Sequence, residues 1–321
     1  MAVQVNAPAQ RHWAAINEVS FVAGMRLLFW VWRVFGRWPF GLVLHPVLLW
    51  YVLASPRARR ISAAYLARAG AFAPVPQGLA GVLRHFGAFA ETILDKMLLW
   101  GGLFDTSRVR FHGIAPMQKL IDAGQGALLV CSHLGNLELC RVMAHQQAGL
   151  KLTVLVHTRH AQAFNKMLAR LDPRSELNLL QVTEMTPATA MMLSERVAAG
   201  EFVVIAGDRI PLSPDPRVAH ASFLGSDAAF PVGPYVMASV LQCPIYLLFC
   251  QRAQDGDYDV HFELLRESVR LPRAGRDAAL TELARDYAAR LEYHCLRSPL
   301  QWFNFYEFWQ LPNLDKNDAS C

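Results

Sequence analysis

The stretch ALLVCSHLGNLELCRVMA, residues 127–144, changes character halfway along. It opens as an unbroken apolar run that closes on Ser132-His133. After Gly135 and Asn136 the chain takes on helical character, with Glu138 near the start. A continuous apolar run, rather than an alternating one, suits a strand buried on both faces, as in parallel sheets layered with helices. The handover from strand to helix predicts an α/β fold and puts a histidine at the carboxyl end of a strand, where open sheets of this kind gather their ligands.

The same alternation continues downstream. Apolar runs at 152–156, 177–182, 202–206, 244–250 and 258–264 predict further strands beside 127–132. Helices are expected between them, over about 136–148, about 161–171 and 187–199. The last has Thr186 as N-cap, Pro187 at its first position and Gly200 just past its end. Asp277 opens a C-terminal helix with an apolar stripe through Leu280, Leu283, Tyr287 and Leu291. An Asp-Gly turn within QDGDYD, 254–259, makes the last two strands antiparallel. The expected architecture is a mostly parallel central sheet flanked by helices, over residues 57–321.

Upstream, residues 76–100 show helical spacing through Leu83, Phe86, Ala90, Leu94 and Met97. Residues 21–54 are rich in Trp, Phe, Leu and Val but are interrupted by Arg26, Arg33, Arg37, Pro39 and Pro46. No window there gives the roughly 20 uncharged apolar residues of a spanning helix. Tryptophans at headgroup depth with arginines reaching for phosphates describe an interfacial element instead. SPRARR, 55–60, adds three arginines that favour the cytoplasmic side. Residues 1–56 are therefore expected to form a helical, membrane-associating segment; a buried helical hairpin is the alternative.

Composition agrees. Hydrophobic residues make up 53% of the 321 and charged residues 18%, against about 25% charged in an average soluble domain. That balance, with a mean hydropathy of +0.20, calls for membrane contact or a large core. The net charge of +5 suits an anionic surface such as lipid headgroups or an acidic carrier protein. No long Lys/Arg runs interleaved with aromatics mark a nucleic-acid binder. The six cysteines form no C-x-x-C pair, which speaks against a zinc site or a disulfide framework. Asp255, Asp257 and Asp259 imitate the start of a calcium loop, but Arg266 stands where the bidentate glutamate belongs. No G-x-S-x-G and no phosphate-binding glycine loop is present. Ser132 adjoins His133 on a strand end and points the other way, so it is a poor nucleophile.

His133 and Glu138 admit two readings. In one continuous helix they would point about 140° apart. Across a strand–turn–helix junction, Gly135 permits the turn, Asn136 caps the helix, and Glu138 in the first turn reaches back to the ring. The pair is then either polar punctuation or a general base with the carboxylate that fixes its tautomer. Arg159 follows the strand 152–156, and Asp208-Arg209 follow 202–206, so three strand ends carry charged or titratable groups.

GALLVCSHLGNLELCR resembles the His-x4-Asp/Glu motif of the lysophospholipid-type acyltransferase superfamily, in the form carried by the lipid A late acyltransferases (lauroyl and myristoyl transferases). RRISAAYLARAG, HFGAFAETILDK, VRFHGIAPMQKLIDAGQGALLV, LVHTRHAQAFNKML and GDRIP…ASFLGSDAAFPVGP are similar to the family's other blocks, so the likeness spans nearly the whole chain. Two positions depart from it. Asp208-Arg209 stand where the family commonly has Asp-Gln, and QWFNFYEFW, 301–309, replaces a Trp-x-His-Arg-Arg-type ending. This C-terminus is more similar to the branch found with aryl-polyene pigment or glycolipid gene sets, and in itself reads as core packing, with membrane-interface packing as the alternative.

The resemblance implies a glycerolipid acyltransferase-like fold and O-acyl transfer of a fatty or aryl-polyene chain, from an acyl carrier protein thioester or, as the second choice, a CoA thioester, to a hydroxyl of a lipid or glycolipid. It implies His133 as the base and Glu138 as its orienting carboxylate. Asn136, Arg159, Asp208 and Arg209 hold substrate or balance the oxyanion, with no metal or cofactor. The expected location is the cytoplasmic face of a bacterial inner membrane, peripheral or monotopic. Two other functions compete: a non-catalytic lipid- or carrier-protein-binding homologue, and a thioesterase or lipid hydrolase that turns the same dyad on water.

Overall fold

In the computed structural model, which describes residues 34, 36–100, 102–139, 151–156, 178–181, 186–210 and 216–310, the run at 127–132 becomes the centre of a seven-stranded sheet. Strand β2 (Leu128–Gly135) lies between β5 (Phe202–Ala206) and β8 (Ile245–Arg252), parallel to both. β3 (Leu152–Val156) and β4 (Asn178–Gln181) extend one side in parallel. On the other side β9 (Tyr258–Arg266) runs antiparallel to β8, and β1 (Val109–His112) lies parallel to β9 at the edge. The strand order is β1-β9-β8-β2-β5-β3-β4. The Asp-Gly turn thus joins an antiparallel pair, and Gly256 takes the left-handed conformation (φ +86°) that such a turn needs. Asp255, Asp257 and Asp259 at this turn pair with Arg108 and Arg110.

Successive residues of β2 feed opposite faces, and both faces are apolar. Leu128 and Val130 join a core with Val203, Ile205, Ile245, Leu247 and Phe249. Leu129 and Cys131 join a second core with Phe202, Val204, Tyr246, Leu248 and Cys250. Helix α7 (Arg276–Arg297) covers the first face through Leu280, Leu283, Ala284, Tyr287, Ala288 and Leu291, all buried at helical spacing. Helices α3 (Gly78–Trp100) and α4 (Ile114–Asp122) reach the second through Leu99 and Met117. Each buried Leu or Val contributes about 1.5–3 kcal/mol, so the middle strands are held from both sides.

Helix α5 (Pro187–Ala198) begins as expected: Thr186 Oγ1 accepts from the Thr189 N–H at 3.2 Å, and Gly200 follows at φ +85°. α6 (Gly233–Leu241) precedes β8. β6 (Val218–Phe223) and β7 (Ser226–Pro231) form a separate antiparallel hairpin against α7 that the apolar-run criterion passes over. β1 also escapes it, because VRFH alternates in burial as an edge strand does.

The chain divides between Val47 and Leu48, and the sheet belongs to the second unit, Leu48–Cys321. The boundary falls within helix α1 (Arg37–Ala54), and α2 (Pro56–Gly70) follows. In α1 Leu49, Trp50 and Leu53 are exposed, as are Arg57 and Arg60 in α2. Among the described residues no helix is long and apolar enough to cross a membrane. Residues 1–33 and 35 of the expected N-terminal segment, 140–148 of the helix expected over about 136–148, and the whole of that expected over about 161–171 lie outside the described residues.

Candidate active site

β2 does not stop at Ser132. It runs on to Gly135 through a bulge: Cys131 pairs with Leu248 and Gly135 with Cys250, so four steps along β2 correspond to two along β8. A bulge of this kind takes residues off the ladder and re-aims their side chains. Gly135 closes it at φ +72°, with an ideal Cβ only 1.7 Å from the Cys250 carbonyl oxygen, so only glycine fits. The next amide, Asn136 N–H, donates to that same oxygen at 2.8 Å.

His133 sits in the bulge and is held at three points. Its N–H donates to Asp208 Oδ2 at 2.7 Å, its ring Nδ1 bonds Asp208 Oδ1 at 2.8 Å, and its carbonyl accepts from Phe303 N–H at 2.8 Å. Asp208 arrives from β5. Cys131 and Ala206 are partners in the parallel ladder, and two residues beyond each stand His133 and Asp208. Between them Gly207 lets the chain pass the Tyr287 ring, where a Cβ would come within 2.8 Å of it; Gly207 N–H and Tyr287 O–H both donate to the Cys131 carbonyl, at 2.8 and 3.0 Å.

Asp208 is fully buried. Trp302 Nε1–H donates to its Oδ2 at 3.0 Å, and Tyr306 O–H donates to its carbonyl at 3.0 Å. Burial alone would raise this carboxyl, but the two donors of His133, with the His133 and Arg209 charges, hold it below the ordinary carboxylate range. It is an ionised acceptor, so His133 Nδ1 carries a hydrogen and Nε2 is bare. The His133 side chain is 35% exposed. Burial lowers its pKa below the usual imidazole value; Asp208 opposes this, while Arg209 and Lys96 of α3 add to it. A neutral imidazole with a fixed tautomer and a bare nitrogen has the chemistry to accept a proton.

The structure distributes the expected site residues as follows. Asn136 is a buried cap whose Oδ1 accepts from Glu138 N–H at 3.2 Å. Glu138 lies in the first helical turn, half-buried, and its charge acts on Lys96. The nitrogen that spacing assigns to Glu138 is taken by Asp208. Arg209 lies half-buried with its guanidinium 5.6 Å from the centre of the Tyr306 ring. Arg159 lies outside the described residues. Ser132 is fully buried. The C-terminal stretch 301–309 is core packing, with Trp302, Phe303 and Phe308 buried, but it is also part of the site. Leu134 and Trp302 form an antiparallel bridge, and Trp302 and Tyr306 hold Asp208. An indole and a phenol in an aromatic run look like any core aromatics, so nothing in the sequence signals this second role.

The four cysteines among the described residues are buried, and no group of His, Cys, Asp and Glu among the described residues is placed to hold a metal ion. The family model described as bacterial lipid A biosynthesis acyltransferase matches residues 105–310, well over half of the chain and every described site residue from Ser132 to Phe308. No curated protein matches the chain.

Proposed function

Because this chain belongs to the bacterial lipid A biosynthesis acyltransferase family, an acyltransferase family acting on lipids, we propose that it moves a fatty or aryl-polyene acyl chain from an acyl carrier protein thioester to a hydroxyl of a lipid or glycolipid. The observation that carries this is the imidazole of His133, held by Asp208 on Nδ1 with Nε2 open.

Nε2 takes the proton of the acceptor hydroxyl as its oxygen attacks the thioester carbonyl. The carbonyl becomes a tetrahedral oxyanion, which Arg209 and Arg159 are placed in the scheme to balance. Collapse breaks the carbon–sulfur bond and returns the proton from the imidazolium to the leaving thiolate, giving an ester and a free carrier thiol. Asp208 stabilises the transient imidazolium, the role the motif alone gives to Glu138; Glu138 we assign to charge balance with Lys96. Asn136 shapes the turn that presents the base.

The exposed Leu49, Trp50 and Leu53 beside the exposed Arg57 and Arg60 support contact with an anionic leaflet from the cytoplasmic side. The net charge of +5 favours encounter with an acidic carrier protein.

The test is transfer in phospholipid–detergent mixed micelles, with lauroyl- or myristoyl-loaded acyl carrier protein as donor and a lipid A precursor or inner-membrane lipid extract as acceptor. Intact-mass analysis reads the acylated product. The wild type should form it, and His133→Ala should lose it while keeping its fold and vesicle binding. Near-normal transfer by His133→Ala would end this assignment; thiol release without a new ester would establish the hydrolase instead.

A further inference from the structure

A fully buried histidine is linked to His133 through Trp302 and Asp208. His85 of α3 is fully buried, and both its nitrogens are engaged. Nδ1 accepts from Ser62 Oγ–H of α2 at 2.8 Å, and Nε2 faces the Trp302 carbonyl at 3.0 Å. A carbonyl only accepts, so the hydrogen is on Nε2 and the serine hydroxyl donates to Nδ1. Burial drives this imidazole's pKa down to about 4, so it is neutral in the working enzyme. Trp302 is the residue whose indole N–H reaches Asp208. The bonds form one chain: Ser62 to His85 (2.8 Å), His85 to the Trp302 carbonyl (3.0 Å), Trp302 Nε1 to Asp208 Oδ2 (3.0 Å), and Asp208 Oδ1 to His133 Nδ1 (2.8 Å).

We propose that His85 is a positioning residue for acyl transfer: by fixing the Trp302 peptide it keeps the indole N–H on Asp208, and so sets how strongly Asp208 holds His133. This rests on His133 being the base.

The packing makes the arrangement directional. The indole is wedged among Tyr65, Phe223 and Phe308, with ring centres 5.0, 5.1 and 5.0 Å away, and the Trp302 side chain is fully buried. Its small freedom is therefore a tilt with its own backbone, which the Leu134 bridge and the Phe303 N–H bond to the His133 carbonyl hold from β2 and the His85 side chain holds from α3. The Asn304 N–H, which also reaches the Trp302 carbonyl at 2.9 Å, comes from two residues away and moves with it. A tilt weakens one of the hydrogen bonds that keep Asp208 a weak base. A more basic Asp208 favours the imidazolium, so His133 would protonate at higher pH.

The variants are His85→Phe, which keeps a ring and removes the donor, His85→Gln, whose amide restores a donor near the Nε2 position, Trp302→Phe, and the double variant His85→Phe/Trp302→Phe. The first readout is the NMR titration of the His133 ring in the full-length protein in micelles, which needs no substrate. His85→Phe and Trp302→Phe should each raise its midpoint by about half a pH unit. His85→Gln should titrate like the wild type, and the double variant should match the single ones, because both changes act through one bond. The second readout is transfer: His85→Phe should change kcat by about threefold, the factor that half a pH unit corresponds to, with KM unchanged, and His85→Gln should restore most of it.

A purely structural His85 lowers the folded fraction and leaves the titration where it was; an unmoved His133 midpoint in folded His85→Phe, or additive shifts in the double variant, overturns the proposal. If the wild type transfers no acyl chain, the proposed function fails, and the titration still decides whether His85 acts on His133.

Discussion

Asp208→Asn separates the two carboxylates that compete for the role of orienting the base. Asp208 Oδ2 accepts from His133 N–H at 2.7 Å and Trp302 Nε1–H at 3.0 Å, while Oδ1 meets the ring Nδ1 at 2.8 Å. An asparagine there has one acceptor atom. Two fixed N–H donors converge on the Oδ2 position, so the amide oxygen goes there and the amide NH2 faces Nδ1. An NH2 group demands an acceptor, which forces the imidazole into the tautomer with hydrogen on Nε2, where a base must be bare. The size and fold of the site are preserved while its chemistry is inverted. In a serine-protease triad the equivalent change costs about 10⁴ in kcat, or about 5.4 kcal/mol of transition-state stabilisation at 1.36 per tenfold. Here we expect a loss of about 10³ to 10⁴, with KM little changed. Single-turnover transfer from the thioester measures the rate, and the ring ¹⁵N shifts report the tautomer. Glu138→Gln, with no hold on Nδ1, should lose far less. Asp208→Asn retaining a tenth of wild-type kcat, with Glu138→Gln the crippled variant, would refute the assignment and restore Glu138 as the orienting group.

Three further outcomes can be measured. Because burial lowers the His133 pKa, the acid limb of kcat/KM should fall below the ordinary imidazole value near 6.5; activity is full above the folded-state value and falls as pH drops through it. Gly135→Ala puts a methyl into the Cys250 carbonyl at positive φ and should cost about 3 kcal/mol in chemical denaturation, with loss of transfer from whatever folds. Glu263, bonded to His294 Nε2 at 2.8 Å and to Arg290 at 2.6 and 2.7 Å, has its pKa lowered from 4.5 to about 2 against the opposing effect of burial. Its contribution is present above pH 4.5 and disappears as pH falls toward 2. Glu263→Gln should destabilise the protein by about 2–3 kcal/mol at neutral pH and flatten the acid limb of its stability curve.

His294 also shows how a residue can be invisible in the sequence. Its Nδ1 meets Gln251 Oε1 at 2.8 Å, while the Gln251 amide N–H donates to the His294 carbonyl at 2.7 Å. That fixes the amide, so one imidazole nitrogen faces the Gln251 amide oxygen and the other faces Glu263. One histidine in the stripe of α7 and one glutamine in β8 give no hint of this until the strand and helix are packed.

The sequence by itself determined what depends on near neighbours along the chain. Continuous apolar runs made strands covered on two faces, the Thr186-Pro187 start and Gly200 stop bounded α5, the Asp-Gly turn paired β8 with β9, and Gly135-Asn136 marked the turn that presents His133. These follow from backbone sterics, capping and periodicity over a few residues. Which carboxylate meets the histidine ring depends on packing instead. Both faces of β2 are apolar, so hydrophobicity does not choose the register between β2 and β5. In the ladder Cys131 stands beside Ala206, Gly207 then passes the Tyr287 ring, and His133 meets Asp208. The indole of Trp302, 94 residues further along the chain from Asp208, completes the arrangement. Glu138 was the nearest carboxylate in sequence; Asp208 is the one the ladder brings to the ring, because distance in a sheet is set by strand pairing and not by chain separation.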